Sequence, residues 1–207
     1  MIRLPRRPAF ASDFRPGMPP AHTARARRRF AAMLREATAV VDRLPEPGES
    51  LHFLLSGTYD LATMLGYLVT SRNVPCLEMV LATLAFSSRN THELCGLVDA
   101  GAVVKLSLLC SDFHAKHSPT EYAEAVQEFG KRGLPLAVAR CHAKIAALHF
   151  ADGMKLALET SANLRTNSNV EAATLFNDPG VWEFHRAWIG AKHHEWEVKQ
   201  STGDAAR

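Results

Sequence analysis

Four residues in the stretch HAKIAALHFADGMKLALETSAN carry side chains that can handle an anion: His142, Lys144, Ser161 and Asn163. Imidazole can serve as nucleophile, acid or base, while ammonium, hydroxyl and carboxamide can donate to phosphate oxygens. Between them stands Asp152-Gly153, flanked by apolar residues. That pair favours a two-residue type I′ turn, because both central positions need positive φ. Such a turn pairs Ala151 with Met154, and counting outward puts Lys144 opposite Ser161 and His142 opposite Asn163. Directly opposed Cβ atoms lie roughly 5 Å apart on one face of a hairpin, so the spacing predicts that the four side chains converge. A solvated sheet edge, on which one His and one Lys do no chemistry, is the other reading of the same spacing.

Three further groups compete for attention. Glu159 is expected across from Ala146 on the face of His142, as a pocket carboxylate or as an exposed hairpin charge. His114-Ala115-Lys116 repeats the His-x-Lys spacing, yet it runs into a helix cap and is read as a loop. His193-His194-Glu195 has metal-ligating residue types, but no third ligand is placed by spacing. The pair is read as solvated, and no metal or cofactor is assigned.

His142-Ala143-Lys144, Thr160-Ser161-Ala162-Asn163 and Asn169-Val170-Glu171 together resemble the HxK … GSxN … E motif of the phospholipase D superfamily. Upstream, Leu77 to Ser87, a helix to Val98, Ala100-Gly101-Ala102 and the strand Val103 to Leu109 are similar to the units that precede the motif in the short, single-motif nuclease branch. The likeness covers roughly residues 50 to 188. Two positions depart from it: the motif's Asp is His149 and its first Gly is Thr160. Strand parity puts His149 on the face opposite His142, where it affects packing rather than chemistry. Thr160 is β-branched and stiff where the family has Gly.

The resemblance implies a homodimer, because the family's reaction uses two HxK motifs and this chain has one credible copy. It implies a metal-independent phosphodiesterase, a nuclease in this branch, with His142 as the nucleophile that forms a phosphohistidine and the second subunit's copy as the acid. Lys144 and Asn163 would hold the phosphate oxygens, Ser161 would support them, and Glu171 would orient the imidazole. A second class stays open: a nucleic-acid-binding or assembly module that keeps the fold without turnover.

These residues need a scaffold, and the rest of the chain supplies the pattern of one. Strand Leu51 to Ser56, helix Tyr59 to Thr70 and the units already named alternate in the manner of an α/β protein. Ser118-Pro119-Thr120-Glu121 opens a helix with a capping box and Pro at its first position, ending near Gly130 or Gly133. Leu134 to Arg140 and Glu171 to Phe176 read as strands, and Asp178-Pro179-Gly180 leads into a helix from Val181 to about Ile189. The fold class expected is α/β: a phospholipase D-like mixed sheet sandwiched by helices at 49–190, with a basic arm and helix at 1–48 and a polar tail at 191–207.

Composition narrows the partners. A chain of 207 residues with 47% hydrophobic and 22% charged content can bury one sizeable core. Its apolar runs break within about a dozen residues, short of the ~20 that span a bilayer, so no membrane partner is expected. Ten Arg precede residue 46 against only Asp13, Glu36 and Asp42, although the whole chain carries a net charge of +3. Proline punctuates the start of this arm, and a helix is expected from about Thr23 to Leu44. Arg25, Arg27, Arg28 and Arg29 could contact nucleic-acid phosphates, DNA being favoured over RNA; a solvated helix or an arm docked on a partner subunit is the other reading of the same charge block. No apolar core follows Arg6-Arg7, which argues against a secretory signal. Cys76, Cys95, Cys110 and Cys141 lack CxxC spacing and read as reduced core residues of a cytoplasmic protein.

Overall fold

A computed structural model describes residues 41, 43–55, 60–165 and 169–204. The arm's arginines 25, 27, 28 and 29, the expected helix up to residue 40 and residues 56–59 lie outside the described residues, while residues 41, 43 and 44, at the expected end of that helix, are not helical.

Among the described residues seven strands form one mixed sheet: β1 (Ser50–Leu55), β2 (Cys76–Thr83), β3 (Leu106–Ser111), β4 (Leu136–Ala139), β5 (Ile145–Phe150), β6 (Lys155–Thr160) and β7 (Glu171–Phe176). Their spatial order is β1-β7-β6-β5-β2-β3-β4. β2, β3 and β4 run parallel, and every other neighbouring pair is antiparallel. The parallel connections carry helices α2 (Ser88–Asp99), α3 (Asp112–His117) and α4 (Pro119–Gly130), while α1 (Leu61–Thr70) joins β1 to β2 and α5 (Pro179–Asp204) closes the chain.

Both faces of the sheet are covered, which explains why β2 and β5 are almost continuously apolar instead of alternating. Met79, Leu81, Leu108, Ala146, Leu148 and Leu158 face one core with residues of α1, α2 and α4. Val80, Leu109, Ala137, Ile145 and Ala147 face the other, with Trp182 and Ile189 of α5. This is the sandwiched α/β sheet that the pattern of elements predicts.

Several local expectations are corrected. The segment after Ile189 is helical as far as Asp204, because Trp182, His185, Ile189 and His193 form a buried stripe at helical spacing that extends the docked face. His193 is therefore buried, its imidazole pushed below the ordinary histidine range by burial. His114-Ala115-Lys116 belongs to α3, not to a loop, and His114 is buried edge-on against Phe86 with ring centroids 4.2 Å apart. Ser118 precedes α4, but its side chain makes no cap hydrogen bond; Pro119 still occupies the first turn. Cys76, Cys95 and Cys110 are buried and free, their thiols pushed up to about 12, 11 and 12 by burial. Cys141 is only half-buried, because it sits just past β4 at the sheet's end.

The hairpin differs from the expected one by a single residue. Phe150 N–H donates to the Met154 carbonyl at 2.9 Å, and Gly153 N–H donates to the Phe150 carbonyl at 3.0 Å. This is a three-residue loop with Gly153 in the left-handed position at φ 87°, the bulged alternative to the two-residue turn. The ladder then pairs His149 with Lys155 and Ile145 with Glu159. Tertiary contacts select this form: Ala151 N–H donates to the Pro75 carbonyl at 3.0 Å, and Asp152 pairs with Arg72.

Candidate active site

The candidate residues collect where β2, β3 and β4 end and where β5 and β7 begin, the end of an open α/β sheet at which crevices form. β4 stops at Ala139, and Arg140 to Lys144 then cross the end of the sheet before β5 starts at Ile145. On the far side β6 ends at Thr160, and β7 returns from Glu171. Thr160 is opposite Ala173 in the ladder, which puts Ser161 beside Ala172. Backbone bonds continue that pairing, with Ser161 N–H donating to the Ala172 carbonyl at 3.0 Å.

Lys144 is the electrostatic centre. It is only 7% exposed, and its ammonium donates to His142 Nδ1 at 2.9 Å and to the His142 carbonyl at 2.9 Å. Burial pushes its pKa down from the ordinary lysine range, and the nearby Glu171 carboxylate pulls it back. Glu171 in turn accepts a hydrogen bond from Ser161 Oγ, which also accepts from Ala172 N–H at 3.0 Å. His142 is exposed, so its ring can meet a ligand from solvent. Asn163 is half-buried, and its Oδ1 has no partner among the described residues. Turning that amide by half a revolution exchanges an acceptor for a donor at the same place. Leu164 N–H reaches Thr83 Oγ1 at 3.4 Å and holds this segment against the end of β2.

The shifted register changes which residues face one another. Thr160, not Ser161, lies opposite Lys144, its N–H donating to the Lys144 carbonyl at 3.1 Å. The ladder ends at Ile145 and Glu159, so cross-strand pairing sets no pairing of His142 with Asn163. Glu159 lies opposite Ile145 instead of Ala146 and so leaves the face expected for it, because a slip of one residue reverses every side chain. It bonds His185 Nε2 of α5 at 2.7 Å, and Trp188 Nε1 donates to His185 Nδ1 at 3.0 Å. His149 packs toward Trp182 with ring centroids 5.4 Å apart, on the α5 side as parity predicts. Thr160 Oγ1 donates to the Ala172 carbonyl at 2.8 Å and accepts from Ala162 N–H at 3.0 Å. Its hydroxyl thereby shapes the turn at the place where the resembled motif has glycine.

A groove of about 620 Å³ opens beside His142, lined by Leu84, Phe113, Lys116, His117, Arg140 and Cys141 among others. Sequence reasoning missed Phe113, His117 and Arg140. The second His-x-Lys was the available signal, but its histidine is the buried one and its neighbours line the groove. Among the described residues no group of three or more His, Cys, Asp or Glu could hold a metal, and no helix is long and apolar enough to cross a membrane.

No protein-family model matches the sequence, and no curated protein does. Among solved structures, polyphosphate kinase from Porphyromonas gingivalis is similar over 68% of this chain and 25% of its own, with a TM-score of 0.51 and 14% identity. TrmBL2, an archaeal chromatin protein described as showing a novel mode of DNA binding, matches at TM-score 0.47 and 18% identity over 84% of this chain and 62% of its own. Phosphatidylserine synthase from Haemophilus influenzae Rd KW20 matches at TM-score 0.43 and 14% identity over 71% and 39%. This chain thus spans about a quarter of the length of the kinase. At 14% identity the likeness to the kinase concerns the fold alone, a mixed α/β sheet sandwiched by helices.

Proposed function

We propose that this protein is a metal-independent phosphodiesterase of the phospholipase D type, a nuclease acting through a phosphohistidine at a site shared by two subunits. The observation that carries this reading is the buried Lys144 ammonium, 2.9 Å from His142 Nδ1 at the end of the sheet. A cation withdrawn from water and aimed beside an exposed imidazole is suited to an anionic substrate. Phosphate oxygens would compete for the Lys144 donors and draw the ammonium off Nδ1. The ring proton can then reside on Nδ1, leaving the Nε2 lone pair free to attack.

The attack forms an Nε2–P bond and breaks the P–O bond to the leaving group, whose oxygen takes a proton from the partner subunit's His142. Water then attacks phosphorus, the P–N bond breaks, and the proton lost by water returns to the partner subunit's His142. Splitting one displacement into two is the advantage of covalent catalysis. Lys144 and Asn163 would hold the non-bridging oxygens, and Ser161 would support them through Glu171, whose orienting role toward His142 belongs to the same proposal.

The experiment is cleavage of labelled single- and double-stranded DNA and RNA in excess EDTA by the intact protein and by His142→Ala, with the oligomeric state measured alongside. Cleavage by a dimer that is lost in the variant is expected. A strictly monomeric protein, or cleavage that survives the substitution, overturns the reading. Salt-sensitive binding without cleavage would favour the non-catalytic binding module, for which Thr160 and His149 at the altered motif positions speak.

A further inference from the structure

The groove beside His142 combines features that the hydrolytic chemistry does not use. Phe113 projects from α3 with 56% exposure, an unusual position for a large aromatic side chain. His117, one turn later, lies against it with ring centroids 4.2 Å apart and planes tilted by 35°. The two rings stack on one another, so the pair offers a ligand an outer ring face on the groove wall. Lys116 and Arg140 line the same groove, opposed by the single carboxylate of Asp112, which stands 3.6 Å from Lys116. Arg140 precedes His142 by two residues, which keeps their α-carbons within about 7 Å. A chain whose phosphate sits at His142 therefore has its adjoining unit at the groove.

Volume and chemistry agree on the occupant. About 620 Å³ is within the range of small-molecule pockets, roughly 300–1,000 Å³. An exposed aromatic pair flanked by cations is the arrangement with which proteins hold unpaired bases, each base stacking on a ring while Lys or Arg tracks the phosphates. A base within a duplex is already stacked on both sides and does not offer its face. Resting on the proposed phosphodiester chemistry at His142, we infer that this groove receives an unpaired nucleotide stacked on the exposed face of Phe113, whose other face His117 backs, which makes single-stranded nucleic acid the substrate class.

The test uses the full chain carrying His142→Ala, which should bind without turnover, and measures equilibrium binding of labelled single-stranded DNA and RNA dodecamers and of the matching duplex. Single strands should bind more tightly than duplex. Phe113→Ala should weaken single-strand binding roughly fivefold to a hundredfold, the range for loss of one stacking partner, whereas Phe113→Trp should retain it. Equal affinity for duplex and single strands, or a Phe113→Ala variant that binds as before, would overturn the inference. Its failure is separable from failure of the hydrolytic reading. His142-dependent cleavage with no influence of Phe113 sinks the groove assignment alone. Phe113-dependent single-strand binding by an intact protein that never cleaves sinks the enzyme and leaves the groove.

Discussion

Lys144 Nζ contacts both the ring nitrogen and the carbonyl oxygen of His142, each at 2.9 Å. One buried ammonium therefore fixes the backbone entering β5 and the orientation of the candidate nucleophile. Because Lys144 is pinned by its own i−2 neighbour, the His-x-Lys spacing has a structural consequence of its own.

Replacing Lys144 by Met keeps the aliphatic stem and removes the buried charge. Phosphodiester cleavage should fall by about 10²- to 10³-fold, the usual cost of losing one aimed donor, while the melting temperature holds or rises. Lys144→Arg should recover part of the rate. Steady-state kinetics and a thermal melt on the same samples decide it; a Lys144→Met variant with intact turnover contradicts the assignment.

The lowered pKa of Lys144 sets a pH dependence. Burial disfavours its charged form in the folded protein, so the unfolded chain binds the proton more tightly. Stability contributed at this site therefore rises with pH between the lowered value and the ordinary 10.5. Inorganic phosphate binding should move the other way and weaken as pH climbs through that window. Titration calorimetry of phosphate across alkaline pH should show the loss in the native protein and its absence in Lys144→Arg.

Glu159 should behave as a tether of α5. Glu159→Ala leaves the N–H of the buried His185 without its acceptor, a loss of about 1 to 3 kcal/mol. That corresponds to a few degrees in melting temperature per kcal/mol for a chain of this size. Cleavage per folded molecule should be unchanged. A variant of native stability that has lost turnover would return Glu159 to the active site.

Gly153 occupies the left-handed position of the hairpin loop at φ 87°, with open space where a Cβ would stand. Its substitution should therefore act through backbone strain alone. Gly153→Ala is expected to lose about 1 to 2 kcal/mol, and Gly153→Asn less, since Asn tolerates this region better. Urea denaturation of the two variants measures the difference.

The elements and the site differ in how far the sequence alone carried them. Alternating apolar strands and capped helices are local patterns, and they were legible almost to the residue at β1, at β7 and in α2, whose cap at Ser87 accepts from Asn90 N–H. The nearness of His142 to Lys144 was legible because residues two apart stay within reach, although both precede β5 instead of lying on a strand. Register was not, because the Asp-Gly turn admits two loop lengths of similar local preference. The choice came from Ala151 reaching Pro75 and Asp152 reaching Arg72, residues about eighty positions away. That one-residue slip turned Glu159 toward His185 and put Thr160 opposite Lys144. The groove is tertiary in the same sense: Phe113, Lys116 and His117 of α3 meet Arg140 and His142 only because β3 and β4 lie side by side and end together. Residue types and their periodicity determined what the chain could build and which groups could hold phosphate. Long-range backbone pairing, which no local propensity encodes, decided which side chains share a face.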